Sequence, residues 1–503
     1  LSKGEDPIAA ALAYSKGHGI DGVLITASTT SNEPVHQAAN MCRKRGRIVL
    51  VGVAGLQLSR ADFYEKELSF QVSCSYGPGR YDPNYEEKSQ DYPLGFVRWT
   101  EQRNFEAFLQ LLADKRIDLD SLISHRYEFK EALKAYQEVG EGNALGVVLN
   151  YPRLETNSAY KGQNVRAERT IHIASAATNK PSSVCVGYIG AGGFSGQVML
   201  PALSKTSARL KTIASSKGVT GTHLGKKFGF EQSSTDIDSI IADPEINAVM
   251  ITTRHNSHAK FVKQALAAGK RVYVEKPLCL NPSELAGIVE LYTCQEDLGN
   301  NPFLMVGFNR RFAPQIVKIK SLLSGVTDPK AMVMTVNAGW IPNDHWVHDL
   351  TIGGGRIIGE GCHFIDLLRF LASSPIVSVS SSVCAKRNTK SCCDTMTISL
   401  DFEDGSIGSV HYFANGHKGY PKERLEVFSG GRVLQLDNFR RLVGHGWESF
   451  SKMNLWNQDK GHQAEMNALV SAVSSRKSCP IPFDEIVEVT RASFVTAGLS
   501  SEI

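Results

Sequence analysis

Short apolar runs alternate with helix-like segments along the first 150 residues of the chain. Strands are predicted at 22–26, 47–53, 68–72 and 146–149, with a turn-rich loop at 76–84. Helices are predicted at 8–14, 33–45, 100–114 and 129–139, where apolar residues recur with helical spacing. Because neighbouring parallel strands need crossover connections, this order predicts a partial Rossmann-like α/β domain over residues 1–150, with a parallel sheet covered by helices.

The pattern changes twice after residue 150. Apolar periodicity fades over residues 151–181, where polar residues dominate, so this segment is predicted to be a linker. Residues 182–307 return to alternating strands and helices, which predicts a second parallel sheet. Residues 308–503 carry long runs that alternate between polar and apolar residues, which predicts an α+β domain with an open, mostly antiparallel sheet. A last helix, predicted at 461–475, is expected to pack on that sheet.

The composition is that of a globular protein with several domains. The 503 residues are 42% hydrophobic and 21% charged, which is enough for more than one core. Fifty-five Lys and Arg against 51 Asp and Glu give a net charge of +4 with no long basic run, so no nucleic-acid partner is expected. No apolar stretch reaches the ~20 residues of a membrane span and no signal peptide is recognisable, so a cytoplasmic location without a membrane partner is expected. The ten cysteines form no C-x-x-C pair, so no metal site is predicted.

A glycine-rich turn opens the second alternating region. The predicted strand at 182–189 runs into Gly190, Ala191, Gly192, Gly193, Phe194 and Ser195. Glycines between a strand and a helix let the backbone turn tightly and approach a pyrophosphate held at the helix N-terminus. Gly190, Gly192, Gly193, Phe194 and Ser195 are therefore predicted to bind a dinucleotide, with a mere tight turn as the alternative. Pro201 in the following helix predicts a kink.

The residues after the next strand bear on which dinucleotide is bound. A dinucleotide fold usually places an acid on the adenosine ribose about 20 residues after the glycines, but this chain has Ser215, Ser216 and Lys217 there. An acid would repel a 2′-phosphate, whereas hydroxyl groups and an ammonium group can bind it. NADP(H) is therefore favoured over NAD(H), and an ordinary polar turn is the alternative.

Polar residues also follow two later strands of this region. The strand at 248–253 leads into Thr253, Arg254, His255 and His258, and the next strand leads into Glu275, Lys276 and Pro277. Ligands of open α/β sheets bind outside the carboxyl ends of the strands, so these residues are predicted to bind the cofactor. The Lys276 ammonium could hold a substrate hydroxyl, although a lone Lys at a strand end is often a solvated surface residue.

Taken together, these motifs resemble one known family. Gly190-Ala-Gly192, Glu275-Lys276-Pro277 and the run from Gly353-Gly-Gly355 through Gly361-Cys-His363-Phe-Ile-Asp366 have the order and spacing typical of the glucose-fructose oxidoreductase/inositol dehydrogenase/MocA family. The resemblance covers residues 182–503. It implies a Rossmann-type NAD(P)-binding domain at 182–307, a substrate-binding open-sheet domain at 308–503, and Lys276 and His363 as catalytic residues beside the nicotinamide.

Several segments are candidates for binding the substrate. Glu360, His363 and Asp366 follow one another in steps of three, which predicts one titratable helix face directed at a cleft. Glu360 stands where the family usually has Asp. Instead of binding the substrate, Glu360 could bind a metal or stabilise the N-terminus of the helix. Aromatic faces and planar donors often bind sugars and phosphates, which adds Asn309, Arg310, Arg311, Trp340, His345 and Trp346 as candidates. Core packing is the alternative for at least one tryptophan, and His462 is a weaker candidate with a structural alternative.

The first 150 residues resemble a different family. Asp21 to Thr26, Arg45 to Val53 and Tyr81 to Asn84 are similar to the later half of the cofactor-binding domain of medium-chain, zinc-type alcohol dehydrogenases. Fusion of the two resembles predicted bacterial bi-domain oxidoreductases found with surface-polysaccharide genes. The glycine turn, zinc ligands and catalytic barrel of that family would precede the matching part, so we expect neither zinc nor independent catalysis, but a scaffold or dimerisation unit of a homo-oligomer. Because residue 1 already reads as the inside of a domain, we also expect the natural chain to start before Leu1.

The expected function is NAD(P)-dependent transfer of hydride between nicotinamide and a secondary alcohol or ketone of a sugar, nucleotide sugar or cyclitol. Lys276 would hydrogen-bond the reacting hydroxyl, and His363 would take its proton. Two alternatives stay open: a glycosidase that works by transient oxidation with tightly held NAD, and a non-catalytic nucleotide-sensing regulator. Retention of both Lys276 and His363 counts against the regulator.

Overall fold

The computed structural model describes residues 4–151, 169–173, 182–384 and 394–501. The chain forms two compact units, and the division between them falls between residues 161 and 162. This division lies in the segment predicted to be a linker, most of which is outside the described residues. Residues 170–172 of that segment form a strand.

The first unit contains short helices and parallel strands. Its helices are α1 (Pro7–Tyr14), α2 (Glu33–Met41), α3 (Arg60–Tyr64), α4 (Pro83–Glu86), α5 (Glu101–Ala113) and α6 (Ala132–Glu141). Its strands are β1 (Ile20–Ile25), β2 (Cys42–Leu50), β3 (Ser69–Val72), β4 (His125–Glu128) and β5 (Val147–Asn150). The strands pair in the orders β1-β2-β3 and β4-β5, and every pair is parallel.

Helix α2 covers one face of the three-stranded sheet. Ile25 pairs with Leu50, and both are buried together with Ile48 against α2. The opposite face carries Leu24, which is 69% exposed, and the exposed Arg47. Within the described residues, the prediction of a parallel sheet covered by helices therefore holds for one face only.

The helix predicted at 33–45 ends four residues early, at Met41. Cys42 begins β2 instead, because it pairs with Ile20 and is buried in the core of this unit. The helix-favouring Arg43 and Lys44 follow Cys42 into the strand. Pairing between strands that are distant in sequence has overridden the local helix propensity.

The second unit begins with a seven-stranded sheet. Its strands are β6 (Thr170–His172), β7 (Cys185–Ile189), β8 (Arg209–Ala214), β9 (Gln232–Ser234), β10 (Ala248–Ile251), β11 (Arg271–Val274) and β12 (Leu304–Val306). Its helices are α7 (Leu200–Leu203), α8 (Val219–Phe228), α9 (Ile237–Ala242), α10 (His258–Ala267) and α11 (Pro282–Asp297). The order is β12-β11-β10-β7-β8-β9-β6, with all pairs parallel except β6 with β9. Strand order reverses between β7 and β10, which makes their carboxyl ends the expected ligand site.

An eight-stranded sheet and its helices complete the second unit. Its strands are β13 (Ala331–Asn337), β14 (Ile376–Val383), β15 (Met396–Phe402), β16 (Ile407–Phe413), β17 (Glu423–Ser429), β18 (Arg432–Asp437), β19 (Arg441–His445) and β20 (Lys452–Asn454). Its helices are α12 (Pro314–Leu323), α13 (Cys362–Ala372), α14 (His462–Ser474) and α15 (Phe483–Thr496). The order is β14-β15-β16-β13-β17-β18-β19-β20, and only β13 with β16 is parallel. The predicted fold class, a Rossmann-type domain followed by an open, mostly antiparallel sheet, is confirmed.

Helix α14 does not pack on the eight-stranded sheet as predicted. Its apolar residues Leu469 and Val473 lie against Leu203 and the seven-stranded sheet, and Gln463 Nε2 donates to the Ala202 carbonyl of α7 at 3.0 Å. The C-terminal part of the chain therefore returns to the dinucleotide-binding domain.

Among the described residues, no helix combines the length and apolar character needed to cross a membrane.

Candidate active site

The glycine-rich turn lies at the point where the strand order reverses. Gly190 has a φ of +111°, and a Cβ there would stand 2.7 Å from the backbone carbon of Thr252, which follows β10. Glycine is therefore required at this position. A Cβ at Gly192 or Gly193 would have no atom within 4 Å, so the backbone beside them is open to a ligand.

Ser195 supports this turn from the inside. It is buried, and its Oγ donates to the Gly190 carbonyl at 3.1 Å and lies 2.9 Å from Thr252 Oγ1. The prediction of Ser195 as a cofactor contact is corrected, because its hydroxyl is used within the protein. Residues Ser195–Met199 form a π-helical turn directly before Pro201, so a widened turn is found where a kink was predicted.

The turn after β8 keeps two polar side chains exposed. Ser215 Oγ accepts a hydrogen bond from the Gly221 backbone N–H at 3.1 Å, which ties this hydroxyl to α8. Ser216 and Lys217 are exposed at the same strand end. Of the three residues predicted to bind a 2′-phosphate, Ser216 and Lys217 are therefore the ones free to do so.

His255 connects the end of β10 to the loop before α13. Its Nδ1 lies 2.8 Å from the Gly353 carbonyl oxygen, and its ring meets the Trp346 ring edge-to-face at 5.0 Å between centroids. Burial lowers the pKa of His255 to about 3, so its ring is neutral near pH 7. The Arg254 guanidinium lies 5.5 Å from the centre of the Trp346 ring. The side chain of Trp340, the other tryptophan predicted to bind the substrate, is 65% exposed.

His258 is a structural residue. It is fully buried, with Nδ1 2.7 Å from the Pro277 carbonyl oxygen and Nε2 3.1 Å from that of Thr253. It ties the loop after β10 to the loop after β11. Since neither ring nitrogen is left for a ligand, the prediction of His258 as a cofactor contact is corrected.

Glu275 and Lys276 follow β11 but have different surroundings. Glu275 is buried and accepts a hydrogen bond from Tyr273 Oη at 2.9 Å, and burial raises its pKa. The contact of Glu275 with the cofactor stays a prediction. Lys276 Nζ instead donates to the Gly359 carbonyl oxygen at 3.0 Å.

His363 lies in the first turn of α13 and is 5% exposed. Gly359, which binds Lys276, precedes it by four residues, and the positive charge of Lys276 acts on the His363 ring. Within the described residues, His363 Nδ1 has no hydrogen-bond partner. Burial, followed by the positive charges of Arg310 and Lys276, holds the pKa of His363 well below its usual value. The ring is therefore neutral.

Glu360 lies in a π-helical turn, Ile357–Gly361, rather than on α13. Its Oε1 accepts from Lys422 Nζ at 2.6 Å, and its Oε2 accepts from Tyr412 Oη at 2.6 Å and from Arg356 Nη2 at 3.3 Å. Although burial opposes ionisation, Lys422 and Lys276 hold the pKa of Glu360 below its usual value. The site therefore holds an ionised carboxylate whose charge is balanced by Lys422 and Arg356.

Arg311 and Asp366 form a buried ion pair. Arg311 Nε lies 2.9 Å from both carboxylate oxygens of Asp366, and Arg311 also pairs with Glu485 of α15. The Asp366 side chain has no exposed surface. The predictions of Arg311 and Asp366 as substrate contacts are corrected, because the pair satisfies both charges inside the domain.

Arg310 also forms a buried ion pair, behind His363. Its Nε and Nη2 donate to the two oxygens of Glu423 at 2.9 Å each, and Lys460 Nζ donates to the same carboxylate at 2.7 Å. Although burial opposes it, Arg310 lowers the pKa of Glu423 to about 2. Asn309 Nδ2 donates to the Lys460 carbonyl at 2.7 Å. The predictions of Asn309 and Arg310 as substrate contacts are corrected, since both support the loop before α14.

Sequence reasoning missed residues that β16, β17 and the loop before α14 bring to the site. They are Tyr412, Lys422, Glu423 and Lys460. The sequence pattern of β17 could have indicated Glu423. Glu423 lies two residues before Leu425 and four before Val427, on the face of the strand that points inward, where a charged residue is unusual. His462, a weaker candidate, lies 6.1 Å from the half-exposed Phe194 between ring centres, and burial lowers its pKa to about 4.

The parallel sheet, its reversal of strand order and its glycine turn are the features of a dinucleotide-binding fold. Residues 184–301 match the family described as "Oxidoreductase family, NAD-binding Rossmann fold", and residues 325–431 match the "GFO/IDH/MocA C-terminal domain". Over these two ranges the second unit of this chain is thus similar to the GFO/IDH/MocA family of oxidoreductases.

Several of the similar proteins are described as dehydrogenases of inositol or levoglucosan. Myo-inositol 2-dehydrogenase of Thermotoga maritima is 28% identical over 225 residues, which are 44% of this chain and 65% of that protein. Inositol 2-dehydrogenase 2 of Saccharopolyspora erythraea is 31% identical over 37% of this chain and 53% of its own length. The chain thus spans less than two thirds of these relatives. A solved structure of levoglucosan dehydrogenase with NADH and levoglucosan matches 63% of this chain and 96% of its own with a TM-score of 0.55 at 22% identity, which supports the fold.

Proposed function

We propose that the protein is an NAD(P)-dependent dehydrogenase that interconverts a secondary alcohol and a ketone on a sugar, nucleotide sugar or cyclitol. The observation that carries the proposal is the hydrogen bond from Lys276 to Gly359, one helical turn before His363. The charge of Lys276 also acts on the neutral imidazole of His363, which supports a shared role of the two side chains. The names of the relatives, which act on inositol and levoglucosan, support this class of substrate.

The carboxyl ends of β7, β8 and β10 fit a dinucleotide. The backbone at Gly192 and Gly193 is open, as phosphates approaching a helix N-terminus require. Ser216 and Lys217 are exposed where an adenosine ribose would be bound, and no acid stands in this turn. These residues support NADP(H) over NAD(H). When bound, the nicotinamide supplies the chemistry of accepting or giving a hydride.

The side chains of Lys276 and His363 act on the hydroxyl group of the substrate and on its proton. In oxidation, Lys276 donates a hydrogen bond to the reacting hydroxyl and stabilises the negative charge that develops on its oxygen. His363 accepts the hydroxyl proton while the C–H hydrogen leaves with its electron pair as hydride. In reduction, the same residues act in reverse: His363 returns the proton to the carbonyl oxygen that Lys276 polarises.

A panel assay tests this function. The full chain is incubated with NAD⁺ or NADP⁺ and a set of inositols, hexoses and nucleotide hexoses, while reduced nicotinamide is followed by absorbance. We expect net reduction of the nucleotide with at least one member of the set. Glycoside hydrolysis without net reduction would replace the proposal by a glycosidase, and binding of nucleotide without turnover would replace it by a regulator.

We further propose that residues 1–150 are a scaffold related to the later half of a medium-chain dehydrogenase cofactor domain. The carboxyl end of β2 supports this role, because a Cβ at Gly52 would stand 2.2 Å from the Ala27 carbonyl oxygen, which leaves no room for a phosphate. Calorimetric titration of the full chain with NADP(H) should therefore give one site per chain. Two sites per chain would overturn the scaffold role.

A further inference from the structure

Basic groups surround His363 on several sides. The charged groups that act on it are Arg310, Lys276, His462 and Lys422, which come from different elements of the second unit. Each of these side chains is cationic or becomes cationic when it binds a proton. A proton arriving on His363 therefore enters a region that is already positive.

The carboxylates of this region are shared among the cations. Glu360 forms ion pairs with both Lys422 and Arg356, and Glu423 forms ion pairs with both Arg310 and Lys460. Lys276 donates to a backbone carbonyl, and no carboxylate of the described residues lies within ion-pair distance of it. Asp394 lies 3.5 Å from Arg356, and Asp459 is exposed.

Lys276 and the cations of these ion pairs outnumber the carboxylates within ion-pair distance of them. Three further carboxyl groups act on Lys276 or Arg310, but Asp366 is paired with Arg311, and burial raises the pKa of both Glu275 and Glu465. The cations are Lys276, Arg310, Arg356, Lys422 and Lys460, and the carboxylates within ion-pair distance of them are Glu360, Glu423 and Asp394. Four of the five cations are mostly buried or held by buried partners, where unbalanced charge is costly. Such an excess favours a ligand with its own negative charge.

The guanidinium groups of Arg310 and Arg356 are already paired with carboxylates, and Arg356 Nε, which has no hydrogen-bond partner among the described residues, is buried. Arg310 is bidentate to Glu423, and Arg356 is divided between Glu360 and the carbonyl groups of Ala338 and Gly339. Lys422 is different: its side chain is 40% exposed, and only one of its N–H groups is used by Glu360. The available group is therefore the ammonium of Lys422. An ammonium group suits a single carboxylate, whereas a phosphate favours the bidentate hydrogen bonds of an arginine.

We propose that the substrate is an acidic sugar, with a carboxylate on the ring that bears the reacting secondary alcohol, and that Lys422 binds this carboxylate. The inference rests on the proposed dehydrogenase function and narrows its substrate class. A carboxylate beside the site also offsets the positive charge that His363 acquires when it takes the hydroxyl proton. Binding and proton transfer are then favoured by the same group.

Matched substrates test the proposal with the full chain and its preferred nucleotide. D-glucuronate is compared with D-glucose and with glucose 6-phosphate, and UDP-glucuronate with UDP-glucose, so that one pair differs only in the carboxylate. We expect kcat/KM to be at least about tenfold higher for the acid of a pair, as a charge-assisted hydrogen bond allows. Added salt should raise KM for the acid and leave KM for the neutral sugar unchanged.

Variants of Lys422 connect the preference to this residue. Lys422→Met should reduce the acid preference to about twofold or less, and Lys422→Arg should restore most of it. Lys452→Met, at an exposed position on β20, is the matched control and should keep the wild-type preference.

The outcomes separate this proposal from the proposed function. Equal turnover of acid and neutral sugars, or preference for glucose 6-phosphate, overturns the acidic-sugar proposal while the dehydrogenase stands. If none of the sugars is oxidised, the failure counts against the dehydrogenase, and calorimetry with the NADPH- or NADH-bound protein decides the binding claim. Tighter binding of D-glucuronate than of D-glucose supports the acidic-sugar proposal, and equal or absent binding overturns the acidic-sugar proposal.

Discussion

Glu423 balances the charges of Arg310 and Lys460 in the interior of the second unit. Its side chain has no exposed surface, and it accepts three hydrogen bonds from the two cations at 2.7 to 2.9 Å. Glu423→Gln keeps the shape of the side chain but leaves both cations without their counter-charge. Breaking a buried ion pair from one side costs on the order of 3–5 kcal/mol.

The pKa of Glu423 gives the same magnitude by a separate route. A carboxyl group whose pKa falls from 4.5 to about 2 on folding contributes about 3 kcal/mol to the free energy of unfolding. Because the folded-state pKa is depressed, this contribution is complete above the unfolded pKa of 4.5 and is lost as the pH falls through about 2. We therefore expect Glu423→Gln to lower the free energy of unfolding by about 3 kcal/mol near pH 7 and by roughly half of that near pH 3.

Urea unfolding followed by tryptophan fluorescence measures this difference. Four of the five tryptophans report on the second unit, at positions 340, 346, 447 and 456. Glu426→Gln is the matched control, since Glu426 lies on the same strand but pairs with the partly exposed Arg424, and it should cost less than about 1 kcal/mol. A loss below about 1 kcal/mol for Glu423→Gln, or a loss that does not shrink at low pH, would refute the reasoning.

Three further predictions concern the cofactor turn and the buried acids. Gly190→Ala places a methyl group 2.7 Å from the backbone of Thr252, so the Kd for the dinucleotide should rise at least about tenfold by calorimetry; an unchanged Kd would place the cofactor elsewhere. Lys217→Glu should lower kcat/KM for NADP⁺ relative to NAD⁺ by about tenfold or more, and an unaltered ratio would reject the phosphate role of Lys217. Burial, with the charge of Glu275, raises the pKa of Glu465 well above its usual value, so the stability that this proton provides is lost as the pH rises above the unfolded pKa. Glu465→Gln should therefore raise the melting temperature more at about pH 8 than at about pH 5, and the opposite order would contradict this assignment.

The strands and the glycine turn of the second unit were predictable because their signals are local. The apolar runs at 248–253 and 271–277 contain β10 and β11, and the conformation of Gly190 agrees with the tight turn predicted there. Helix α2 was predicted too long for the opposite reason. Its end depends on the pairing of Cys42 with Ile20, which no local pattern around residue 42 reveals.

The charged residues of the site show the limit of sequence reasoning more clearly. Arg310 and Arg311 follow the end of β12, where they could have faced either a cleft or the interior. Their partners Glu423 and Asp366 lie far along the chain, on elements whose packing decides the question. Lys276 and His363 were paired through the resemblance to a family, whereas Lys422 comes from a segment without a motif and needed the structure.

Lys276 is proposed to act on the substrate oxygen in the hydride transfer, and the Lys276→Met variant tests this role. The wild-type chain and Lys276→Met are measured side by side for turnover of a substrate found in the panel assay and for the Kd of the dinucleotide. Removal of a positioned acid–base group should lower kcat at least about 10²-fold to 10³-fold, while the Kd changes less than about threefold. Lys260→Met, at an exposed position on α10, serves as the control and should behave as the wild type. Wild-type turnover by Lys276→Met would contradict the account.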